Sequence, residues 1–153
     1  MRTYILLALL SGLAFAADDQ KADPLKIDYE RLSGTWRLVY AVEDGKVVTR
    51  GQVRKVELIT KGNTFEIRGD TNLGTSPSGT FTIDPTTKPK SVDSVQGKGP
   101  HKGEKILGIY EIIDANHKRA CWAPPGQPRP TGFASRPGSG ELLQVWKRGQ
   151  SQP

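Results

Sequence analysis

Apolar residues alternate with polar ones in short runs along most of the chain, and turn residues separate these runs. In the clearest run, Trp36, Leu38, Tyr40 and Val42 share one face, and Asp44-Gly45 follows as a turn. A period of two is the pattern of a strand with one buried face. The other segments predicted as strands are 53–60, 64–68, 80–83, 91–95, 106–113, 117–122 and 141–148. Eight or so short strands separated by turns indicate an all-β protein, either an antiparallel up-and-down barrel or a sandwich.

A short N-terminal helix is predicted just before the first strand. Leu25, Tyr29 and Leu32 fall at positions i, i+4 and i+7 after a proline, and this spacing defines one apolar helix face. Such a helix could lie across one barrel end and plug it.

Two glycine-rich loops, 69–79 and 97–105, are predicted to form the recognition surface at the rim of the barrel, where specificity is usually placed.

The N-terminus has the features of a secretory signal peptide. Arg2 precedes an apolar run over 5–15, and Ala14-Phe15-Ala16 supplies small residues for cleavage after Ala16. An uncleaved anchor is the alternative, but spanning a bilayer takes about 20 apolar residues. No cysteine lies near the cut to carry a lipid. We therefore expect an exported protein, periplasmic or secreted, with a signal peptide over 1–16, a tail and short helix over 17–31, one barrel domain over 32–148 and a tail over 149–153.

The charge distribution and the cysteine content limit the possible partners and the possible covalent cross-links of the protein. The formal net charge is +6, and the excess of positive over negative charge lies in the C-terminal half, where acidic residues are fewer. This skew favours an anionic partner or surface, and a merely solvated surface is the alternative. Cys121 is the only cysteine, so the chain has no intramolecular disulfide. Next to Trp122, Cys121 is predicted to be a small buried hydrophobe, and a reactive thiol is the alternative.

The order of several short motifs carries a resemblance. The motifs are Leu32-Ser33-Gly34-Thr35-Trp36, Asp44-Gly45-Lys46, Thr82-Ile83-Asp84-Pro85, Gly108-Ile109-Tyr110-Glu111, Arg129-Pro130-Thr131-Gly132-Phe133-Ala134-Ser135, Gly138-Ser139-Gly140 and Lys147-Arg148. Together, over about 32–148, they resemble an uncharacterised lipocalin-like domain family that is abundant in planctomycete bacteria. The resemblance implies a lipocalin-like barrel of about eight strands in an exported protein, and it transfers no catalytic residues.

In barrels of this kind, a tryptophan near the start of the first strand packs against a cation from the last strand. Trp36 and Arg148 are the predicted barrel-closure pair, joined by a cation–π contact worth about 0.5–2 kcal/mol. Lys147 and Arg136 are the competing cations. The alternative is that Trp36 is simply a core residue.

The sequence offers no recognisable catalytic or metal site. His101 and His117 are the two histidines, and no third ligand follows at a metal-binding spacing. A Gly-x-Ser-x-Gly elbow and a Cys/His/Asn set are both absent from the sequence. The basic segment 97–103 has the composition of a phosphate loop but lacks the Gly-Lys-Ser/Thr ending. We therefore expect a non-enzyme without cofactor or metal.

Two functions remain open, and neither involves specific nucleic acid or a membrane-spanning segment. The first is a binding module that holds a small apolar or amphipathic ligand in the barrel. Its lumen-lining candidates are Tyr40, Phe65, Phe81 and Tyr110. The alternative is an extracytoplasmic protein-interaction or inhibitor barrel that binds a protein or an anionic surface. Its recognition loop would use Lys98, His101, Lys102 and Lys105. A lumen filled by aromatic side chains would argue against the first function.

Overall fold

The computed structural model describes residues 22–69 and 76–149, and these residues form two short helices and nine strands. The helices are α1 (Pro24–Leu32) and α2 (Arg50–Val53). The strands are β1 (Gly34–Glu43), β2 (Lys46–Val47), β3 (Val56–Lys61), β4 (Thr64–Gly69), β5 (Ser78–Asp84), β6 (Lys90–Lys98), β7 (Lys105–Ile112), β8 (His117–Trp122) and β9 (Leu142–Arg148). The predicted signal peptide lies outside the described residues. None of the helices within them is both long and apolar enough to cross a membrane.

Eight of the strands close into an antiparallel barrel of the lipocalin-like type. From β3 to β9, each strand pairs with the next one in the chain, and β1 pairs with both β3 and β9. The β1–β9 pairing completes the ring and satisfies the backbone groups that an open sheet would leave at its edges. The two-residue β2 only extends β1 through the Asp44-Gly45 turn, where both residues have positive φ. The predicted all-β barrel with a short N-terminal helix is therefore confirmed.

Helix α1 plugs one barrel end, although its buried face differs from the predicted one. The Asp23 carboxylate caps it by accepting a hydrogen bond from Leu25 N at 2.9 Å, and a proline follows at the first helical position. Leu32 joins the core, but Leu25 is 40% exposed and Asp28 is buried instead. The prediction that Leu25 belongs to the inner face is wrong, because Asp28 has polar partners inside the barrel end and an apolar pattern cannot reveal them.

Strand β1 contains an irregularity that overturns one lumen assignment. The β1–β9 register shifts between Leu38 and Tyr40, so that one extra residue, Val39, is inserted. The insertion reverses the alternation: Ala41 turns inward and is 2% exposed, whereas Val39 and Tyr40 are 45% and 43% exposed. Tyr40 therefore does not line the lumen, contrary to the prediction.

Three predicted segments also begin or end at other residues in the structure. The predicted strand 53–60 starts later, because Val53 ends α2 and is buried against the end of the barrel opposite α1. Strand β6 extends through Lys98 into the predicted loop. Of the predicted loop 69–79, Gly69, Ser78 and Gly79 belong to strands, and 70–75 lie outside the described residues.

Two hydrophobic clusters fill much of the interior. One consists of Leu32, Phe81, Ile83, Val92 and Tyr110, with Tyr29, Phe65, Ile112 and Trp122 packed against it. The other consists of Trp36, Leu38, Ala41, Val53 and Trp146, with Val48, Val56, Leu58 and Leu142 packed against it. An eight-stranded barrel is just wide enough for its side chains to meet across the interior. The interior surface that remains accessible is therefore limited to a few inward-facing positions, which lie on β8 and β9.

The connection between β8 and β9 packs on the outer wall of the barrel. Arg129 donates hydrogen bonds to Val92 O and Gly108 O at 3.0 and 2.7 Å and pairs with Asp93 at 2.6 Å. The Phe133 ring lies 4.2 Å from the Arg119 guanidinium. Because this connection covers the outer wall, the outward-facing residues Ile109 on β7 and Cys121 on β8 are also buried.

Candidate functional site: the barrel lumen

The inner wall formed by β8 and β9 follows from their pairing. In an antiparallel pair, residues directly opposite each other point to the same face. Lys118 is opposite Trp146, Ala120 opposite Gln144, and Trp122 opposite Leu142. Trp146 and Leu142 belong to the interior clusters, so all six side chains face the lumen.

Part of this inner wall is accessible. Ala120, Trp122, Leu142 and Gln144 are partly exposed although they face inward, whereas Trp146 is 2% exposed. Trp122 donates a hydrogen bond from Nε1 to Gln144 Oε1 at 3.1 Å, which fixes both side chains on the wall. The accessible wall therefore extends from Leu142 and Trp122 down to the Ala120–Gln144 pair.

Gly108 on β7 gives Trp122 the space that it occupies. The two residues are directly opposite, and a Cβ on Gly108 would lie 2.5 Å from a ring carbon of Trp122. Such a contact is far inside van der Waals distance, so Trp122 lies flat over a position that only glycine permits. The glycine thus determines the shape of the accessible wall.

Two cations contact the fully buried ring of Trp36 at the barrel end that α1 covers. The Arg148 guanidinium carbon lies 4.1 Å from the ring centroid, and Lys118 Nζ lies 4.3 Å from it. Both distances are within the range of a cation–π interaction. The structure thus brings the predicted closure pair, Trp36 and Arg148, into contact, and it adds Lys118, which the sequence analysis did not single out.

Arg148 also fastens the strand ends by hydrogen bonds. Its guanidinium donates to Ala115 O, Ser33 O and Arg31 O, each at 2.9 Å. Gly34 allows this approach, because its φ is +120° and a Cβ there would lie 2.8 Å from Arg148 Nη1. The Gly-x-Trp motif and the terminal arginine therefore form one structural unit. The competing cation Lys147 is exposed on the outer side.

Lys118 is in an unusual electrostatic environment. It is 7% exposed, and no hydrogen bond or ion pair to its ammonium is formed within the described residues. Burial, followed by the charge of Arg148, lowers the pKa of Lys118 to about 7. The ammonium at the foot of the accessible wall is thus a cation without a carboxylate partner.

A second polar group closes the same barrel end. The buried Asp28 carboxylate accepts hydrogen bonds from Lys90 Nζ at 2.6 Å and from Tyr110 OH at 2.7 Å. Burial, together with the Asp28 carboxylate, raises the pKa of the Tyr110 hydroxyl, which therefore remains a hydrogen-bond donor. This network fastens α1 to the barrel wall.

The structure separates the four predicted lumen residues. Phe81 and Tyr110 are buried in the interior, and Phe65 is partly exposed and packs against them. Tyr40 lies on the outer surface. Phe65, Phe81 and Tyr110 therefore fill the side of the lumen formed by β4, β5 and β7. Trp36 and Trp146 are also buried in the interior, so the accessible wall is limited to the four partly exposed positions on β8 and β9.

The predicted basic loop carries fewer available charges than its sequence indicates. His101 Nδ1 lies 3.2 Å from a Glu104 carboxylate oxygen, and Lys105 Nζ lies 3.7 Å from Asp93. Lys98 and Lys102 are exposed, and no ion pair involving them is formed within residues 22–69 and 76–149. Two of the four predicted recognition residues are thus partly neutralised.

The outer surface offers two open grooves on the β3–β4 side. One, of about 380 Å³, is lined by Arg37, Arg54, Lys55, Glu57, Arg68 and Gly69. The other, of about 580 Å³, is lined by Ile59, Lys61, Thr64, Phe65, Glu66, Ser76, Ser78, Gly79, Thr80 and Lys98. Two surface ion pairs, Arg37–Glu57 and Arg68–Glu66, offset the basic charge of this face.

Groups typical of catalysis lie apart from the lumen. The Cys121 side chain points outward from β8, is 0% exposed and donates to Ala134 O at 3.5 Å. Burial raises the pKa of its thiol to about 11, which disfavours the thiolate at neutral pH. His117 pairs with Asp114 at 3.0 Å at the barrel end. Within the described residues, no group of three or more His, Cys, Asp or Glu side chains is placed to hold a metal.

No protein-family model, curated protein or solved structure was found to match the chain.

Proposed function

We propose that this protein is an exported, non-catalytic binding protein whose barrel lumen takes up a small amphipathic molecule. The observation that carries the proposal is the partial exposure of the inward-facing residues Ala120, Trp122, Leu142 and Gln144. Ala120 and Gln144 lie in the middle of their strands, and a closed barrel with a dense interior would leave such positions buried. The accessible wall combines apolar surface with a few polar groups, which is the usual composition of a small-molecule site.

Export is part of the proposal, and the N-terminal sequence supports it. A basic residue, an apolar run and small residues before position 17 are arranged as in a signal peptide.

The non-catalytic role is supported by the chemistry of the lumen wall. Its polar side chains on β8 and β9 are a lysine and a glutamine, and within the described residues no carboxylate, thiol or imidazole forms a hydrogen bond or ion pair with them to act as a base.

The proposal is tested with N-phenyl-1-naphthylamine, a neutral apolar probe whose fluorescence increases in apolar surroundings. We expect saturable uptake by the mature protein, together with quenching of tryptophan emission by energy transfer. All three tryptophans face the lumen, and Trp122 is the partly exposed one.

Ala120→Leu places extra bulk on the accessible wall and is expected to weaken probe binding at least tenfold. Thr82→Leu is the matched control, because it adds similar bulk at an exposed position on β5. Absence of saturable uptake by the folded wild-type protein would refute the proposed function. Equal probe affinity in Ala120→Leu and wild type would show that the probe binds outside the lumen. Salt-sensitive binding that depends on Lys98 and Lys102 would support the interaction barrel instead.

A further inference from the structure

The Lys118 ammonium has unused hydrogen-bond donors at the foot of the accessible wall. The two carboxylates that fasten this barrel end already have partners: Asp28 binds Lys90 and Tyr110, and Asp114 binds His117. Each of the three guanidinium nitrogens of Arg148 already donates a hydrogen bond to a backbone carbonyl. Trp36 gives Lys118 a cation–π contact but no hydrogen-bond acceptor. The cation–π contact therefore compensates only part of the hydration that the buried cation loses.

Lys118 and Ala120 are successive inward-facing positions on β8, so the lysine lies one position beyond the accessible wall along the same face. Among the described residues, every side-chain nitrogen or oxygen that is fully buried has a hydrogen-bond partner. Lys118 Nζ has none, so it retains some accessible surface. Ala120 is the next inward-facing residue on the same strand, and it is partly exposed. An anion that enters along this wall would therefore meet the unpaired ammonium beyond the alanine.

We infer that Lys118 binds the anionic head of an amphipathic ligand, a carboxylate or sulfonate type of monoanion whose apolar body lies against Ala120 and Trp122. This inference rests on the proposed function, because it names the class of ligand that the lumen takes. The pairing supplies the acceptor that Lys118 lacks, and the surrounding apolar wall strengthens it by excluding water. Arg148 adds a second positive charge nearby without giving up its backbone hydrogen bonds.

The test compares two probes that share the same ring system. N-phenyl-1-naphthylamine is neutral, whereas 8-anilinonaphthalene-1-sulfonate carries one sulfonate. At pH 6, where Lys118 is protonated, we expect Lys118→Met to weaken binding of the sulfonate probe at least tenfold. A charge-assisted hydrogen bond is worth about 1.5–3 kcal/mol, which corresponds to a tenfold to hundredfold change. The neutral probe should bind Lys118→Met and wild type with the same affinity.

Matched variants make the result specific. Lys147→Met removes the same charge from the exposed face of the adjacent strand and should change neither affinity. Lys118→Arg retains a cation and should keep a preference for the sulfonate probe. Equal losses for both probes in Lys118→Met, or no loss for the sulfonate probe, would overturn the inference. If the wild-type protein takes up the neutral probe and rejects the sulfonate, the inference fails while the proposed function stands. If it binds neither probe, both fail.

Discussion

Replacement of the buried lysine by an apolar residue of similar length should stabilise the protein at acidic and neutral pH. In Lys118→Met, the side chain keeps its contact with Trp36 but no longer places a charge inside the barrel. Removal of an uncompensated buried charge is favourable, because the charge costs hydration free energy on folding. The expected sign is therefore opposite to that of most core substitutions.

The size of the effect follows from the pKa. One pKa unit corresponds to about 1.4 kcal/mol, so a fall from 10.5 to about 7 corresponds to about 5 kcal/mol. The cation–π contact with Trp36 favours the charged form by about 1–2 kcal/mol and offsets part of this cost. We expect Lys118→Met to be about 3 kcal/mol more stable than wild type at pH 6.

The pH dependence has a definite direction. Below pH 7, Lys118 is protonated in both the folded and the unfolded chain, so its full cost is present. Between pH 7 and 10.5 the unfolded chain binds more protons than the folded one, and the stability of wild type therefore rises with pH relative to Lys118→Met. Two pH units separate the folded pKa of about 7 from pH 9, so the advantage of the variant should shrink by about 3 kcal/mol between pH 6 and pH 9.

The assay is urea unfolding at both pH values, with Lys147→Met as the control for loss of an exposed charge. The proteins are first refolded from urea, which removes any bound anion that would itself stabilise the charged lysine. Two results would refute the reasoning: a Lys118→Met protein that is less stable than wild type at pH 6, or a difference that does not change with pH. Either result would mean that the contact with Trp36 outweighs the cost of burial.

Three further predictions concern other parts of the molecule. A double-mutant cycle of Trp36→Phe and Arg148→Ala should show a coupling of about 0.5–2 kcal/mol in urea unfolding, and additive effects would reject the pairing. Gly108→Ala should destabilise the barrel by about 1–3 kcal/mol and shift the emission of Trp122, because the new methyl group overlaps the indole ring; an unchanged spectrum and stability would contradict this account of the wall. The intact mass of the natively expressed protein should correspond to cleavage after Ala16, and a product that keeps the preceding residues would disprove the predicted processing.

The sequence pattern located the strands and left an antiparallel barrel and a sandwich open as architectures. Alternation with a period of two depends on neighbouring residues only, so strands such as β8 and β9 could be located from their residues. The i, i+4 and i+7 spacing that ends at Leu32, together with Pro24 at the start, was enough to predict α1. The Gly-x-Trp motif and the terminal arginine indicated the closure pair, because each is a local feature at one end of the chain.

The inner surface of the barrel was decided by tertiary structure. Alternation divides a strand into two faces but does not say which face is inside when both are covered. The connection between β8 and β9 packs on the outer wall and buries Cys121 there. Burial of this cysteine therefore does not indicate that its side chain faces the lumen. Strand pairing inserts Val39 and turns Tyr40 outward, which no local pattern in β1 reveals.

Lys118 illustrates the same limit. A period of two from Trp122 assigns Lys118 and Trp122 to one face, but a lysine near a strand end is usually exposed. It is buried here because closure of the barrel brings β1 against β9 and places the Trp36 ring over the ammonium. The sequence thus determined which residues form strands, and ring closure between distant segments determined which side chains share the lumen.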